Sequence, residues 1–193
     1  MVHAVSIHPG LRKTTNLVID MGYYTMDCLM CEGLRPFYAR SDAVQGGMSG
    51  YYDHLSALVS EKLSSEGLPN HSGVDHFRLE EALSSGVRVE GTSAIYSLRI
   101  GKVSVDISEC VARASSKLNE YIDRMVTTLG DGSLDMISSV VLAGGGARLL
   151  RPAVNDRLGN MHEIVTLENS QFAVANGYAH IGAGAAKRTA VAT

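Results

Sequence analysis

Apolar positions along the chain follow two rhythms, one of short runs and one of helical spacing. Residues 16–22, NLVIDMG, are nearly all apolar up to Asp20 and Gly22, and predict a buried strand. TMDCLMC (25–31) and LRPFYAR (34–40) predict the next two strands, with EG at 32–33 as a tight turn between them. Three short strands in quick succession imply an antiparallel meander. The rhythm then changes. Tyr51, Tyr52, Leu55, Leu58, Val59 and Leu63 recur at helical spacing, and Gly67 marks a stop.

From 68 to 103 the pattern is less regular. VDHFRLEEALSSG suggests a helix, and VRVEG and AIYSLRIGKVSV alternate like strands of a small sheet. Residues 106–130 give the strongest helical signal. Asp106 or Ser108 can cap it, Gly130 can end it, and Val111, Ala114, Leu118, Ile122, Met125 and Val126 form its apolar stripe. A wholly apolar strand at 139–143 then runs into Gly144, Gly145 and Gly146 and a further helix. EIVTL predicts a last strand, NSQFAVANGYAHIGAGAAK an Ala-rich helix, and RTAVAT a frayed tail.

Strand and helix alternate in the second half, which implies a parallel sheet segment. Joined to the meander, it makes one mixed sheet in an α/β fold. The expected organisation is a lead-in at 1–15, a main subdomain of 16–67 and 104–187, a smaller inserted subdomain at 68–103, and a tail at 188–193.

Composition narrows the function classes. The 193 residues are 45% hydrophobic and 19% charged, as in a folded globular protein. A net charge of -3 without a basic block argues against direct nucleic-acid or anionic-membrane partners. No apolar run reaches the ~20 residues that span a bilayer. The first residues lack the apolar core of a signal peptide, so the cytoplasm is the expected compartment. Cys28 and Cys31 form a C-x-x-C inside a strand, where they point to opposite faces, and no second pair follows at zinc-like spacing. Buried thiols are the reading. His71 and His76 flank a loop, as solvated side chains or as metal ligands.

Two stretches carry candidate chemistry. In DMGYYTMD (20–27), Gly22 allows a hairpin whose peptide N–H groups can converge on a phosphate oxygen. Asp20 at the strand end can hold the water shell of Mg²⁺, and Thr25 adds a hydroxyl. The alternative is a plain hairpin with solvated carboxylates. In VVLAGGGARLL, three missing side chains let a flat ligand approach the backbone at a helix N-terminus. The alternative is a tight strand-to-helix turn; neither G-x-G-x-x-G nor G-x-x-x-x-G-K-[ST] fits.

The order of these motifs resembles the second half of the actin-like ATPase superfamily, which includes actin, sugar kinases and the heat-shock chaperone ATPases. Its second phosphate motif, D-x-G-x-x-T-x-D, is matched by Asp20, Gly22, Thr25 and Asp27; its adenosine motif is matched by Val140 to Gly146. GGGARLL, with the later NSQFAVANGYAHIG, looks most like the plasmid-segregation actins of the ParM/StbA kind. The resemblance spans about residues 16 to 184.

It implies a ribonuclease-H-like subdomain, ATP and Mg²⁺ as cofactors, and a cytoplasmic, filament-forming ATPase that segregates plasmids. Asp20 would be the catalytic and Mg²⁺-orienting residue. Gly22, Tyr23, Tyr24, Thr25, Asp27, Gly46 and Gly47 would lie about the phosphates, and Gly144, Gly145, Gly146 and Ala147 would face the adenosine. Lys117 and Glu120 could reach the adenosine, or form a solvated helix face. Tyr23 and Tyr24 stand where many relatives carry small residues. The implied partners are further copies in filaments or dimers, the first half of the fold with its own phosphate loop, and a DNA-binding adaptor. A non-catalytic half that pairs with another chain, and half of a sugar kinase, are the alternatives.

Overall fold

A computed structural model describes residue 5 and residues 8–68, 74–86, 94–130, 132–173, 175–177 and 179. The expected strand VRVEG, His71 and most of the expected final helix lie outside the described residues. Seven strands and four α-helices are assigned among the described residues: β1 (Thr15–Met21), β2 (Thr25–Glu32), β3 (Arg35–Gln45), α1 (Gly47–Ser65), α2 (His76–Ser84), β4 (Ser97–Ile100), β5 (Val103–Asp106), α3 (Ser108–Leu129), β6 (Ser139–Ala143), α4 (Ala147–Leu158) and β7 (Glu163–Thr166). None of these helices is long and apolar enough to cross a membrane.

The mixed sheet follows from the burial pattern. Its order is β3-β2-β1-β6-β7. β1 pairs antiparallel with β2, and β2 with β3, which is the meander. β1 pairs parallel with β6, and β6 with β7. Leu17, Val18, Ile19, Val140, Val141 and Leu142 are all buried, because the inner strands of a sheet covered on both faces have no solvent side. Val18, Cys31, Val141 and Ala143 share one cluster with Leu11, Leu167 and Ala173.

The turn between β2 and β3 falls at Gly33–Leu34, one residue beyond the expected EG, because Glu32 still pairs with Arg35. Gly33 has φ 55°, and a side chain there would collide with the Arg12 carbonyl. β3 also runs on to Gln45, five residues past its expected end at 40. Val44 is its one buried residue, as befits an edge strand, so no buried alternation marks its course.

The chain divides into two compact units, residues 1–48 with 121–193, and residues 49–120. The smaller unit is thus drawn more widely than 68–103. Besides α2 and the β4–β5 hairpin it takes nearly all of α1 and the first part of α3. Its core is Tyr51, Leu55, Val59, Leu63, Leu79, Leu98, Ile107 and Ala114, all buried. Ser56 donates from α1 to the Val74 carbonyl at 2.7 Å, and His76 meets Asp53 at 3.0 Å, so α2 is tied to α1 by polar contacts as well. The larger unit holds the five-stranded sheet, and every residue expected about the phosphates or the three-glycine loop belongs to it.

Candidate nucleotide site

β1 and β6 are neighbours and parallel, so their carboxyl ends open side by side. In open α/β sheets such ends are where ligands bind. Asp20 sits there, opposite Asp27 on β2 and Ala143 on β6. Its carboxyl group is raised above its ordinary range, first by burial and then by the charge of Asp27. Thr25 donates its hydroxyl to Asp27 Oδ2 at 3.1 Å. Asp20, Thr25 and Asp27 therefore converge in the structure as their spacing suggests.

The hairpin that joins β1 to β2 is closed by the Gly22 N–H, which donates to the Thr25 carbonyl at 2.9 Å. A second segment clamps it. The Gly46 N–H donates to the Tyr24 carbonyl at 2.8 Å, and the Met48 N–H to the Gly22 carbonyl at 3.0 Å. A side chain on Gly47 would stand 2.7 Å from both the Gly22 carbonyl oxygen and the Thr25 nitrogen. Here the structure corrects the sequence reading. Gly22 is outside the left-handed region, and a Cβ there would touch only the Thr25 carbonyl, at 3.4 Å. The unusual backbone is at Gly46 (φ 121°) and Gly47 (φ 44°), where the chain crosses the hairpin with no room for a side chain.

The three glycines after β6 divide their tasks. Gly144 has φ 84°, and a Cβ there would run into Asp20 Oδ1 and the Met21 carbonyl. The Gly146 N–H donates to that carbonyl at 3.0 Å, and a Cβ on Gly146 would press on the Met21 and Met48 side chains. Gly145 is exposed, and a Cβ there would meet nothing within 4 Å. Ala147 is fully buried, so any contact it makes with a ligand is through its backbone. α4 starts directly afterwards, and its first-turn N–H groups lack intrahelical acceptors by the geometry of any helix start.

One neighbour was missed in the sequence. The Gly144 N–H donates to the Ser170 carbonyl at 2.9 Å, which ties the glycine loop to the turn after β7. Asn169, just before, holds φ 51°; an asparagine in the polar stretch NSQ was the available signal, since Asn tolerates that conformation. The other candidates fall elsewhere. Lys117 and Glu120 pair with each other at 2.7 Å on an exposed face of α3, in the smaller unit. Cys28 and Cys31 are buried, each thiol pushed up to about 11 by desolvation, which makes them core residues rather than reactive ones. Among the described residues no group of His, Cys, Asp and Glu could by itself hold a metal ion.

Solved structures share this architecture. The archaeal actin homologue Ta0583 aligns with a TM-score of 0.65 at 23% identity, over 97% of this chain and 54% of that one. A ParM from Clostridium botulinum, solved as a 15-stranded filament, aligns at 0.68 and 18%, over 94% and 51%. Bacillus thuringiensis ParM with ATP aligns at 0.61 and 16%, over 88% and 46%. The chain therefore spans about half the length of these proteins. No curated protein matches it in sequence. The family model described as archaeal actin homologue MreB-like, C-terminal, matches residues 18–156, well over half of the sequence, and the chain accordingly belongs to that family of actin homologues.

Proposed function

We propose that this chain is the nucleotide-binding half of an actin-like ATPase that assembles into filaments, with ATP and Mg²⁺ as its ligands. The observation that carries this reading is the arrangement at the carboxyl ends of β1 and β6: the half-buried carboxylate of Asp20, flanked by Asp27, beside a glycine loop open at Gly145. Support comes also from relatives, one solved with ATP and another as a filament.

The residues fit these ligands. Asp20 offers the hard oxygen that Mg²⁺ and its water shell prefer, and the absence of a side chain on Gly144 leaves room against that oxygen. The clamped backbone of residues 22–25 would hold phosphate oxygens, and the open face at Gly145 would take the nucleoside. Bound Mg²⁺ would offset charge on the phosphate oxygens during transfer to water. Asp20 would orient waters, while the fixed hairpin supplies position rather than covalent chemistry. In the filament, hydrolysis would weaken contacts between copies. Plasmid DNA, reached through an adaptor protein in the cytoplasm, is the cargo that the ParM-like motifs suggest.

The test is calorimetric titration of Mg·ATP into the 193-residue chain and its Asp20→Asn variant, with pelleting of assemblies in parallel. The amide is nearly isosteric, so the fold should persist. Mg²⁺-dependent affinity should fall about tenfold or more, which is ~1.4 kcal/mol. Equal affinity in the two proteins would remove Asp20 from the site.

A further inference from the structure

In the smaller unit, α2 and β4 border a cavity of about 220 Å³. Arg78, Glu81 and Ser85 line it from α2 and its C-terminal end, and Ser97 and Arg99 from β4. Ala82 and Leu98, both buried, give it an apolar part. Both guanidinium groups are held by backbone oxygens. Arg78 Nη2 donates to the Arg99 carbonyl, and Arg99 Nε to the Gly101 carbonyl at 3.2 Å. These bonds fix the two groups in place, but a neutral carbonyl leaves their charge uncompensated. Lys62, Arg113 and Lys117 of the same unit each meet a glutamate. Among the described residues no carboxylate pairs with Arg78 or Arg99. Glu81 stands three residues beyond Arg78 on α2 without bonding to it, and Asp75 and Asp106 accept from the backbone N–H groups of Arg78 and Ser108.

From this arrangement we infer that the cavity is a binding site for a single carboxylate group, held by the guanidinium groups of Arg78 and Arg99. Two cations that line one cavity repel each other, and an anion received there removes that cost. A planar guanidinium matches the two oxygens of a carboxylate, and charged hydrogen bonds of this kind are the stronger ones. Charge selects the ligand further. Two arginines and one glutamate leave one net positive charge, which a carboxylate balances, whereas a phosphate dianion would set its second charge against Glu81. Size points the same way. The cavity is smaller than the roughly 300–1,000 Å³ of drug-sized sites, so it suits one acid group on a short apolar stem that packs on Ala82 and Leu98. A glutamate side chain of another protein and a free short-chain acid offer the same chemistry. The site lies wholly within the smaller unit, so it stands independently of the nucleotide reading, whose residues belong to the larger one.

The experiment follows backbone amide signals of the isotope-labelled full chain by NMR during titration. The probes are glutamate with both backbone ends blocked, its glutamine counterpart, butyrate and inorganic phosphate. The carboxylates should shift amides of residues 78–85 and 97–99 saturably, the glutamine probe should not, and phosphate should bind several-fold more weakly. Tighter binding of the blocked glutamate would support a protein side chain as the ligand, and tighter binding of butyrate a free acid. Arg78→Gln and Arg99→Gln should each weaken carboxylate binding roughly tenfold. Arg113→Gln removes the same charge from an exposed position of the same unit and should change nothing. Arg78 also ties α2 to β4, so the exposed Arg99 carries the test if the Arg78 variant does not fold. No shifts with either carboxylate, equal shifts with the glutamine probe, phosphate bound as tightly as the carboxylates, or unchanged affinity in Arg99→Gln would each overturn the assignment.

Discussion

Gly144, Gly145 and Gly146 are one residue type in a row with three separate duties. Only Gly144 needs its positive φ, and only Gly145 faces open space. A side chain at 144 would be strained and would strike Asp20, so Gly144→Ala should destabilise the fold by roughly 1–3 kcal/mol. Gly145→Val should leave the thermal midpoint within a few degrees, because Gly145 is exposed and a Cβ there meets nothing within 4 Å. The same branched side chain would occupy the volume of a nucleoside, and should lower ATP affinity by tenfold or more, ~1.4 kcal/mol. Melting and titration of both variants check this, and a large fall in midpoint for Gly145→Val would return the loop to a simple turn. The sequence announced that the run of glycines mattered but not which one did what. Backbone sign and neighbouring atoms come from distant segments, here Asp20 and Met21, and the same holds for Gly22 and Gly47. Gly22 sits in the motif, yet the close approach that excludes a side chain is at Gly47.

At the scale of elements, periodicity was readable wherever a face is buried. The stripe Tyr51 to Leu63 on α1 and the stripe Val111 to Met125 on α3 are buried as their spacing implies, whereas Val126, expected in the second stripe, is only half-buried. What periodicity cannot convey is which core a stretch joins, and α3 passes from the smaller unit to the larger at residue 121 without any break in its pattern. Its start was also legible. The Ser108 N–H and hydroxyl donate to Asp106 Oδ1 at 2.8 and 2.6 Å, and these bonds hold the Asp106 carboxyl below its ordinary range. A depressed carboxyl contributes stability that is complete above its unfolded value and is lost as pH falls through its folded one. Asp106→Asn should therefore fray the first turn of α3 at neutral pH, seen as faster amide exchange at residues 108–111. The difference from the unaltered chain should shrink on acidification below the usual carboxylate range. A difference that stays constant with pH would mean the charge on Asp106 is irrelevant to the cap.

At the scale of the whole molecule, two compact units share one chain, and the candidate site lies within one of them. Asp20, the hairpin at 22–25, Gly46, Gly47 and the loop at 144–147 all belong to the unit built on the five-stranded sheet. Ligand binding stabilises what it binds by mass action, about 2.7 kcal/mol when ligand stands at 100 times its dissociation constant. Amides of β1, β2 and β6 sit in the interior of that sheet and exchange only when the unit opens, so Mg·ATP should slow their exchange by up to roughly a hundredfold. Amides of α2 and of the β4–β5 hairpin belong to the other unit, and serve as the internal reference. If the units open independently, their exchange should change little on adding nucleotide. Exchange read peptide by peptide with and without Mg·ATP distinguishes the possibilities. Slowing confined to the sheet supports a site made by that unit alone. Equal slowing in both units would mean that they open as one cooperative body, and slowing in neither would remove the nucleotide from this half of the fold.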